Sequence, residues 1–392
     1  MIDTFYISNF KSLDDFYLPP SADGWMGDFT CMIGLNGAGK STVLQAFAFI
    51  GQLPRGDLKE WLQGRGWEKN ELTNLNEPKK KLITFELHVK TLVGNIIWAG
   101  VFNTTQLRCT RESIRFKDRE ELLLDLREGV LSVADEHGDM HIRGKHLKFE
   151  GSAMSLLDLK KEHRALAQLS GYLKNLKSLE LLSPHLLRKR GRRSEDIGVG
   201  GERLSAFLDT LKDAEKASLI AEVKKLYPSF QGYEVQTKRY GWKNLKIQEN
   251  EGREMVDAKH LNDGLLRIMA ILSQAYSSHS FLLFDEIENG LNPEVIEPVM
   301  AFLLQMRQQV FITTHSPLIL NFIPDEVALE NVILIYKDNR GRTRSIRFFD
   351  LPGMMERLEF LGPGEVLIDN DLLDLIAEQV RRDEKQQSAS QV

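Results

Sequence analysis

The sequence GLNGAGKS at residues 34–41 is the most informative motif of this chain. It has the Gly-x4-Gly-Lys-Ser spacing of a Walker A phosphate loop. An apolar run (Phe29–Ile33) precedes it, and a helix-like stretch (Ser41–Ile50) follows it. Glycines let backbone N–H groups converge on phosphates, while the lysine neutralises charge and the serine hydroxyl ligates Mg²⁺. A glycine-rich turn that merely caps a helix would not need the Lys-Ser pair, so the stretch predicts a nucleoside triphosphate site. Its predicted ligand-binding residues are Asn36, Gly37, Ala38, Gly39, Lys40, Ser41 and Thr42.

Length and composition limit the classes of protein to which the chain can belong. Its 392 residues exceed one compact domain and predict a head with a further part built onto it. An apolar share of 42% with 27% charged residues indicates a globular protein, and no apolar run reaches the length of a membrane span. The N-terminus lacks the pattern of a secretory signal. We therefore expect a cytoplasmic protein that does not contact membranes.

Cysteine content and net charge exclude further classes. The two cysteines, Cys31 and Cys109, form no CxxC or Cys/His cluster, so neither a disulfide framework nor a zinc site is predicted. The formal charge of −5 argues against a surface that is basic throughout, but it allows a local basic patch.

Two carboxylates end a second apolar run. Phe281–Phe284 reads as a buried strand, and Asp285 and Glu286 follow it directly. Acids at such a strand end are costly to place unless they are used, although a solvated strand end is the alternative. Beside a Walker A loop they predict a Walker B pair, in which Asp285 holds Mg²⁺ and Glu286 polarises the attacking water.

Two weaker patterns flank this pair. His315 follows the apolar strand Val310–Thr313, where it can sense the γ-phosphate and organise the water with Glu286, or can be a structural residue. In the segment LNDGLLR (261–267), Asn262 and Gly264 stand at the start of a predicted helix, Leu265–Tyr276. This start is either an ordinary cap or an anion-binding signature segment.

The motifs divide the chain into parts. We predict an α/β fold: an ABC-type phosphate-loop ATPase head, with a mixed sheet and flanking helices, that carries an inserted β-plus-helical lobe. The head comprises residues 1–50 and 255–350, the lobe 51–254, and a C-terminal helical extension and tail 351–392. Within the lobe we predict strands at about 81–150, helices at about 153–228 (Ser155–Leu182 and Glu202–Leu226), and strands at about 232–250 that partly complete the head sheet.

The order of motifs resembles that of a known family. Asn9-Phe10-Lys11-Ser12, GLNGAGKS, LNDGLLR, FLLFDEIENGLNP (281–293) and TTHSP (313–317) are similar to the motifs of the OLD-like (overcoming lysogenisation defect) ATPases of the AAA-15/AAA-21 group. The run Glu288–Pro293 looks like the D-loop of that group. The resemblance covers roughly residues 1–50 and 255–350, whereas the lobe matches only in layout.

The resemblance implies a head-to-head homodimer that holds two ATP molecules, with Mg²⁺, between its protomers. It places Lys11 and Ser12 with Lys40 and Ser41 on the nucleotide, Asp285 on the metal, Glu286 as base and His315 as switch. The signature segment of each protomer would complete the site of the other. Asn262 stands where the family usually has serine, and its amide can still donate to phosphate.

The resemblance also bears on the effector. Nucleases of the group carry a C-terminal Toprim domain, and too few residues follow the last predicted head strand for one. Asp369-Asn370-Asp371, with Glu365, reads better as an acidic helix start before Leu372–Val380. No intrinsic nuclease is therefore expected. The chain resembles stand-alone ATPases of anti-phage systems (Septu, PARIS or retron-associated), in which a separately encoded effector acts.

The basic run and the overall function each have more than one interpretation. The basic run Arg188–Arg193 is either a solvated face or a surface for DNA or RNA phosphates. The main functional alternative is a DNA-repair or DNA-clamp ATPase of the RecF or chromosome-maintenance type. A transporter ATPase subunit is a more distant one.

Overall fold

A computed structural model describes residues 1–20, 24–75, 77, 79–119, 121–159, 161–250, 252 and 254–389. The chain divides into two compact units. The first comprises Met1–Leu176 with Asp325–Val392, and the second comprises Lys177–Pro324. Among the described residues, none of the helices is both long and apolar enough to cross a bilayer.

The strands are, in chain order, β1 (Ile2–Ser8), β2 (Phe16–Leu18), β3 (Phe29–Ile33), β4 (Leu82–Thr91), β5 (Gly94–Asn103), β6 (Arg108–Phe116), β7 (Leu122–Arg127), β8 (Val130–Ala134), β9 (Met140–Lys145), β10 (Leu176–Leu179), β11 (Phe230–Thr237), β12 (Lys243–Glu249), β13 (Val256–Asp257), β14 (Phe281–Phe284), β15 (Gln309–Thr313), β16 (Val332–Lys337) and β17 (Thr343–Arg347). The helices are α1 (Lys40–Gln52), α2 (Leu58–Arg65), α3 (Arg164–Lys174), α4 (Pro184–Leu187), α5 (Leu204–Leu208), α6 (Asp213–Leu226), α7 (Asp263–Ser273), α8 (Pro293–Leu304), α9 (Pro317–Leu320), α10 (Asp325–Asn331), α11 (Met354–Leu358), α12 (Pro363–Ile368) and α13 (Leu372–Ala389).

An antiparallel sheet of eight strands dominates the first unit, in the order β2-β1-β4-β5-β6-β7-β8-β9. Strand β4 shows why it forms, because Ile83, Phe85, Leu87 and Val89 alternate with more exposed residues. That period of two places one face of the strand in the core. The opening strand β1 pairs with β4, so the N-terminus belongs to this sheet.

The phosphate loop lies between β3 and α1 in the same unit. All five residues of β3 are buried, as expected for a strand that pairs in parallel, and β3 pairs in parallel with β16. Helix α1 packs its aromatic side chains into the core: Phe47 stacks on Phe5 with ring centroids 4.3 Å apart, and Phe49 lies 5.3 Å from Phe10. This packing anchors the helix that follows the loop.

The second unit contains the carboxylate segment. Strands β14 and β15 pair in parallel and are buried along their whole length. Strand β10 lies beside β14. Strands β11, β12 and β13 form a separate antiparallel sheet. Helix α7 is apolar on nearly every side from Leu265 to Ser273, which indicates a helix buried in the core.

The mixed α/β fold class is confirmed, since parallel and antiparallel pairs occur together with flanking helices. Two local predictions are wrong in part. The strands predicted at about 232–250 do not complete the head sheet, because β11 and β12 pair with each other and with β13 in a separate sheet. The predicted helix Ser155–Leu182 contains α3, but Leu176–Leu179 is strand β10. The short run Leu-Lys-Ser-Leu fits either periodicity, and its place beside β14 decides for strand. The boundaries given above for head and lobe stay a prediction.

Candidate active site

The phosphate loop has a backbone that only glycine can follow at two positions. Gly34 and Gly39 have φ angles of 148° and 113°. A Cβ at Gly34 would lie 2.2 Å from the carbonyl oxygen of Ile335, and a Cβ at Gly39 would lie 2.3 Å from Oγ1 of Thr343. The loop is therefore packed directly onto the β16–β17 hairpin. The compact cradle fits a phosphate chain, which needs close approach to backbone N–H groups.

Lys40 begins helix α1 and is folded onto the loop. Its Nζ donates to the carbonyl oxygen of Gly34 over 2.7 Å and to that of Leu35 over 3.3 Å, and the side chain is buried. Asn36, Gly37 and Ser41 are exposed, and Thr42 is half-buried. The Lys40 side chain is therefore buried against the loop, whereas Ser41, the predicted metal-binding residue, is exposed to solvent.

Thr343, the first residue of β17, connects the loop to its surroundings, and no sequence motif indicates this role. Its Oγ1 donates to the carbonyl oxygen of Ala38 over 3.1 Å and accepts from Nζ of Lys337 over 2.8 Å. The hydroxyl of Ser12 lies 2.8 Å from the same Oγ1, and the Thr343 N–H donates to the Ser12 carbonyl. Burial lowers the pKa of the Lys337 ammonium, while Asp338 opposes that shift. Thr343 therefore joins the predicted ligand-binding Ser12 to the loop.

Lys11, next to Ser12, lies over an aromatic ring. Its Nζ is 3.4 Å from the ring centroid of Trp67 and donates to Oε1 of Gln45 over 2.8 Å. Gln45 is one helical turn after Ser41, so the Lys11 ammonium is held on the face of α1 that carries the predicted metal-binding hydroxyl.

Asp285 and Glu286 share one hydroxyl in the second unit. Oγ1 of Thr313 donates to Oδ1 of Asp285 over 2.6 Å and accepts from the Glu286 N–H over 2.8 Å. Glu286 has a φ of 47°, a left-handed conformation that costs a non-glycine residue about 1–3 kcal/mol and that accumulates at active sites. Asp285 is buried, whereas the Glu286 side chain is 37% exposed and accessible to a water molecule.

His315 lies beside Glu286. Its Nε2 is 3.7 Å from Oε1 of Glu286, and its backbone N–H donates to Oε1 of Glu288 over 2.7 Å. The structure therefore brings together Asp285, Glu286 and His315. The phosphate loop belongs to the other unit.

The segment 261–267 begins helix α7 and contacts the backbone of Glu286 through Arg267. Oδ1 of Asn262 accepts from the Leu265 N–H over 2.7 Å, which makes Asn262 the N-cap. A Cβ at Gly264 would lie 2.9 Å from the Tyr227 hydroxyl. Arg267, to which the sequence motifs assign no role, donates from Nη2 to the Glu286 carbonyl over 2.7 Å and from Nη1 to the Leu181 carbonyl over 2.9 Å. Burial lowers the pKa of its guanidinium to about 10, against the opposing effect of Glu288 and Glu286.

The basic run contains one arginine in a structural contact and four exposed cations. Arg188 donates to the Leu261 carbonyl over 2.7 Å and forms an ion pair with Asp263, so it supports the start of α7. Lys189, Arg190, Arg192 and Arg193 are exposed.

The Asp369–Asp371 acids act as the sequence indicated. Oδ1 of Asp371 accepts from the Leu373 N–H over 2.8 Å, which caps α13, and Asp369 pairs with Arg357 over 2.8 Å.

A family model described as "AAA domain, putative AbiEii toxin, Type IV TA system" matches residues 29–321. No curated protein sequence matches the chain. Among solved structures, an SMC head bound to the C-winged helix domain of ScpA is 15% identical. It has a TM-score of 0.56 and covers 89% of this chain and 99% of its own.

An SMC head with an extended coiled coil, bound to the C-terminal domain of ScpA derived from Pyrococcus furiosus, is 12% identical. It has a TM-score of 0.54, with coverage of 91% of this chain and 99% of its own. At these identities the likeness concerns the fold alone. The chain belongs to the family of AAA domains that the matching model describes, and its fold is similar to that of the SMC heads.

Proposed function

We propose that the protein binds and hydrolyses ATP with Mg²⁺, that two copies close around the nucleotide, and that this closure gates a separately encoded effector in anti-phage defence. The hydrogen-bond network around Asp285 and Glu286 carries the hydrolytic part. A buried carboxylate, an accessible carboxylate held in a strained conformation and a neighbouring histidine meet within one unit. Such pre-organised groups are typical of sites that position water.

The residues have separate roles in this proposal. Lys40, Ser41 and Thr42 with the loop backbone would bind phosphates, and Ser41 and Asp285 would hold Mg²⁺, which neutralises charge on phosphate oxygens when bound. Glu286 would orient and polarise the attacking water, and His315 would report on the γ-phosphate. Lys11 and Ser12 would contact the nucleotide from the N-terminal turn.

Dimer closure rests on the start of α7. The Asn262 Oδ1 is engaged by the Leu265 N–H, so the amide presents its nitrogen as a donor. That donor and the N-terminus of α7, at Gly264, would meet the γ-phosphate held by the second copy. Arg267 ties this helix to the Glu286 carbonyl, which would couple closure to the base.

The gating role is inferred from the resemblance to stand-alone ATPases of anti-phage systems. The description of the matching family, which names a putative toxin and a toxin–antitoxin system, supports a setting of this kind. The SMC heads of similar fold bind a ScpA domain, and we propose that this chain likewise binds a partner protein.

The decisive experiment measures the mass of the protein with and without ATP, together with ATP turnover. The wild type should hydrolyse ATP, and Glu286→Gln should form an ATP-dependent dimer. Co-expression with the products of adjacent genes should then yield a complex whose nuclease or toxin activity changes with ATP. A protein that neither binds ATP nor captures a partner would refute the proposal.

The second candidate is an ATPase that acts directly on DNA, as in the RecF or chromosome-maintenance type. Its support is the SMC-head fold and the exposed part of the basic run. ATP-dependent DNA binding by the purified protein, without any partner, would favour it over effector gating.

A further inference from the structure

The tip of the β11–β12 hairpin carries two aromatic side chains that are not buried in the core. Tyr240 is 87% exposed and Trp242 is 39% exposed. Tyr240 has a φ of 60°, a conformation that a bulky residue seldom adopts. The tip is closed by the Lys238 N–H, which donates to the Trp242 carbonyl over 2.7 Å. The fold thus fixes an aromatic ring in solvent at the end of a regular hairpin.

The basic run lies against this hairpin within the second unit. Gly191 and Lys243 form an antiparallel bridge, with the Lys243 N–H 2.8 Å from the Gly191 carbonyl oxygen. The Arg192 guanidinium is 5.1 Å from the ring centroid of Trp242, and Nε of Arg190 donates to Oδ1 of Asn244 over 2.9 Å. Two segments that are far apart in sequence therefore form one surface.

This surface concentrates positive charge on a chain of net negative charge. Lys243 adds no net positive charge to this surface, because Asp209 forms an ion pair with it over 2.6 Å. Glu195, which follows shortly after the basic run, is an exposed acid beside these cations. We call the surface the hairpin patch; it consists of the two rings and six exposed cations, Lys189, Arg190, Arg192, Arg193, Lys238, Arg239, Tyr240 and Trp242.

We propose that the hairpin patch binds single-stranded nucleic acid, with Tyr240 and Trp242 stacking on bases and the cations contacting phosphates. Charge complementarity selects a polyanion, and the aromatic rings select one with accessible bases. A duplex keeps its bases stacked inside and would gain nothing from an exposed ring. An acidic peptide would pair with the cations and leave the rings unused. Sequence tolerance is expected, because every base has a face on which a ring can stack.

The test is fluorescence anisotropy with a labelled strand of about 20 nucleotides, longer than the usual footprint of one such site. DNA, RNA and the matching DNA duplex are each titrated in parallel. The wild type should bind both single strands more tightly than the duplex. Tyr240→Ala and Trp242→Ala should each weaken single-strand binding at least about fivefold, since the stacked base is lost. Tyr240→Phe should retain binding.

Charge and fold are controlled separately. Arg192→Gln with Arg193→Gln should lower the slope of log affinity against log salt by about 1.4, at about 0.7 for each lost phosphate contact. Phe360→Ala removes an equally exposed ring (84%) in the first unit, and Lys145→Gln with Lys148→Gln removes exposed cations there; neither should change affinity. Thermal melting checks that each variant is folded.

Three results would overturn the proposal. The first is single-strand affinity unchanged in Tyr240→Ala and Trp242→Ala. The second is duplex binding at least as tight as single-strand binding, which would indicate a duplex surface. The third is a wild-type protein that binds no strand, or that binds polyglutamate as tightly as the labelled strand. None of these outcomes depends on ATP hydrolysis.

Discussion

The hydroxyl of Thr343 donates to the carbonyl oxygen of Ala38 over 3.1 Å, and this bond joins two residues 305 positions apart. Ala38 belongs to the phosphate loop, and Thr343 begins the second strand of the β16–β17 hairpin. The same hydroxyl lies 2.8 Å from the Ser12 hydroxyl and accepts from Lys337. The shape of the loop is therefore held from outside by the hairpin.

Thr343→Val should weaken ATP binding and lower the melting temperature. The substitution keeps the shape of the side chain but removes the donor to Ala38 and the acceptor for Lys337, and an unsatisfied buried polar group costs about 1–3 kcal/mol. Thr343→Ser, which retains the hydroxyl, is the matched control and should stay close to wild type. Calorimetric ATP titration and thermal melting measure both effects. Equal behaviour of the valine and serine variants would show that the hydroxyl does not support the loop.

Gly39→Ala should destabilise the folded protein more than Gly37→Ala. Both glycines have positive φ, which costs an alanine about 1–2 kcal/mol. The new Cβ at residue 39 would also lie 2.3 Å from Thr343 Oγ1, whereas a Cβ at residue 37 meets nothing within 4 Å. Denaturant unfolding of the two variants measures the difference. A smaller loss for Gly39→Ala would contradict the packing of the loop on the hairpin.

Glu286→Gln should retain ATP binding and slow hydrolysis by about 10²–10³, because a pre-organised group that acts on the water is lost. The variant should accumulate as an ATP-bound dimer. Lys40→Ala is the contrasting change and should abolish nucleotide binding. Steady-state turnover and light scattering with ATP measure these outcomes. Normal turnover by Glu286→Gln would show that another residue acts as the base.

Thr313→Val should reduce turnover about 10- to 100-fold with a much smaller change in ATP affinity. The Thr313 hydroxyl holds Oδ1 of Asp285 and the N–H of Glu286, and hydrogen bonds to charged groups contribute about 1.5–3 kcal/mol. Thr313→Ser preserves both bonds and serves as the control. Turnover measured over a range of Mg²⁺ concentrations tests the change. Unaltered Mg²⁺ dependence and rate in the valine variant would rule out this role.

Contiguous patterns made much of the fold predictable. The spacing of glycine and lysine predicts the loop at 34–41, and the apolar face that follows it predicts helix α1. Strand β14 was read at its observed bounds, because four consecutive apolar residues ending in two acids form a local signal.

The remaining features depend on partners that are distant in sequence. Strand β10 was predicted as helix because its four residues suit both periods, and only a neighbouring strand distinguishes them. The bonds of Thr313 to the two acids and of Arg267 to the Glu286 carbonyl follow from side chains that meet only in the folded chain.

Short contiguous motifs specify the chemistry of the candidate site: a phosphate loop, two carboxylates after a buried strand and a histidine after the next strand. Local composition sets these, since each motif lies within a few consecutive residues. The contacts that hold these motifs in place form only in the folded chain. Thr343 bonds to the loop, Thr313 bonds to both acids, and Arg267 bonds to the Glu286 carbonyl. Folding also places the basic run, Arg188–Arg193, against the β11–β12 hairpin. Hydrogen bonds and ring contacts between remote residues leave no local pattern, because they depend on how strands and helices pack within each unit.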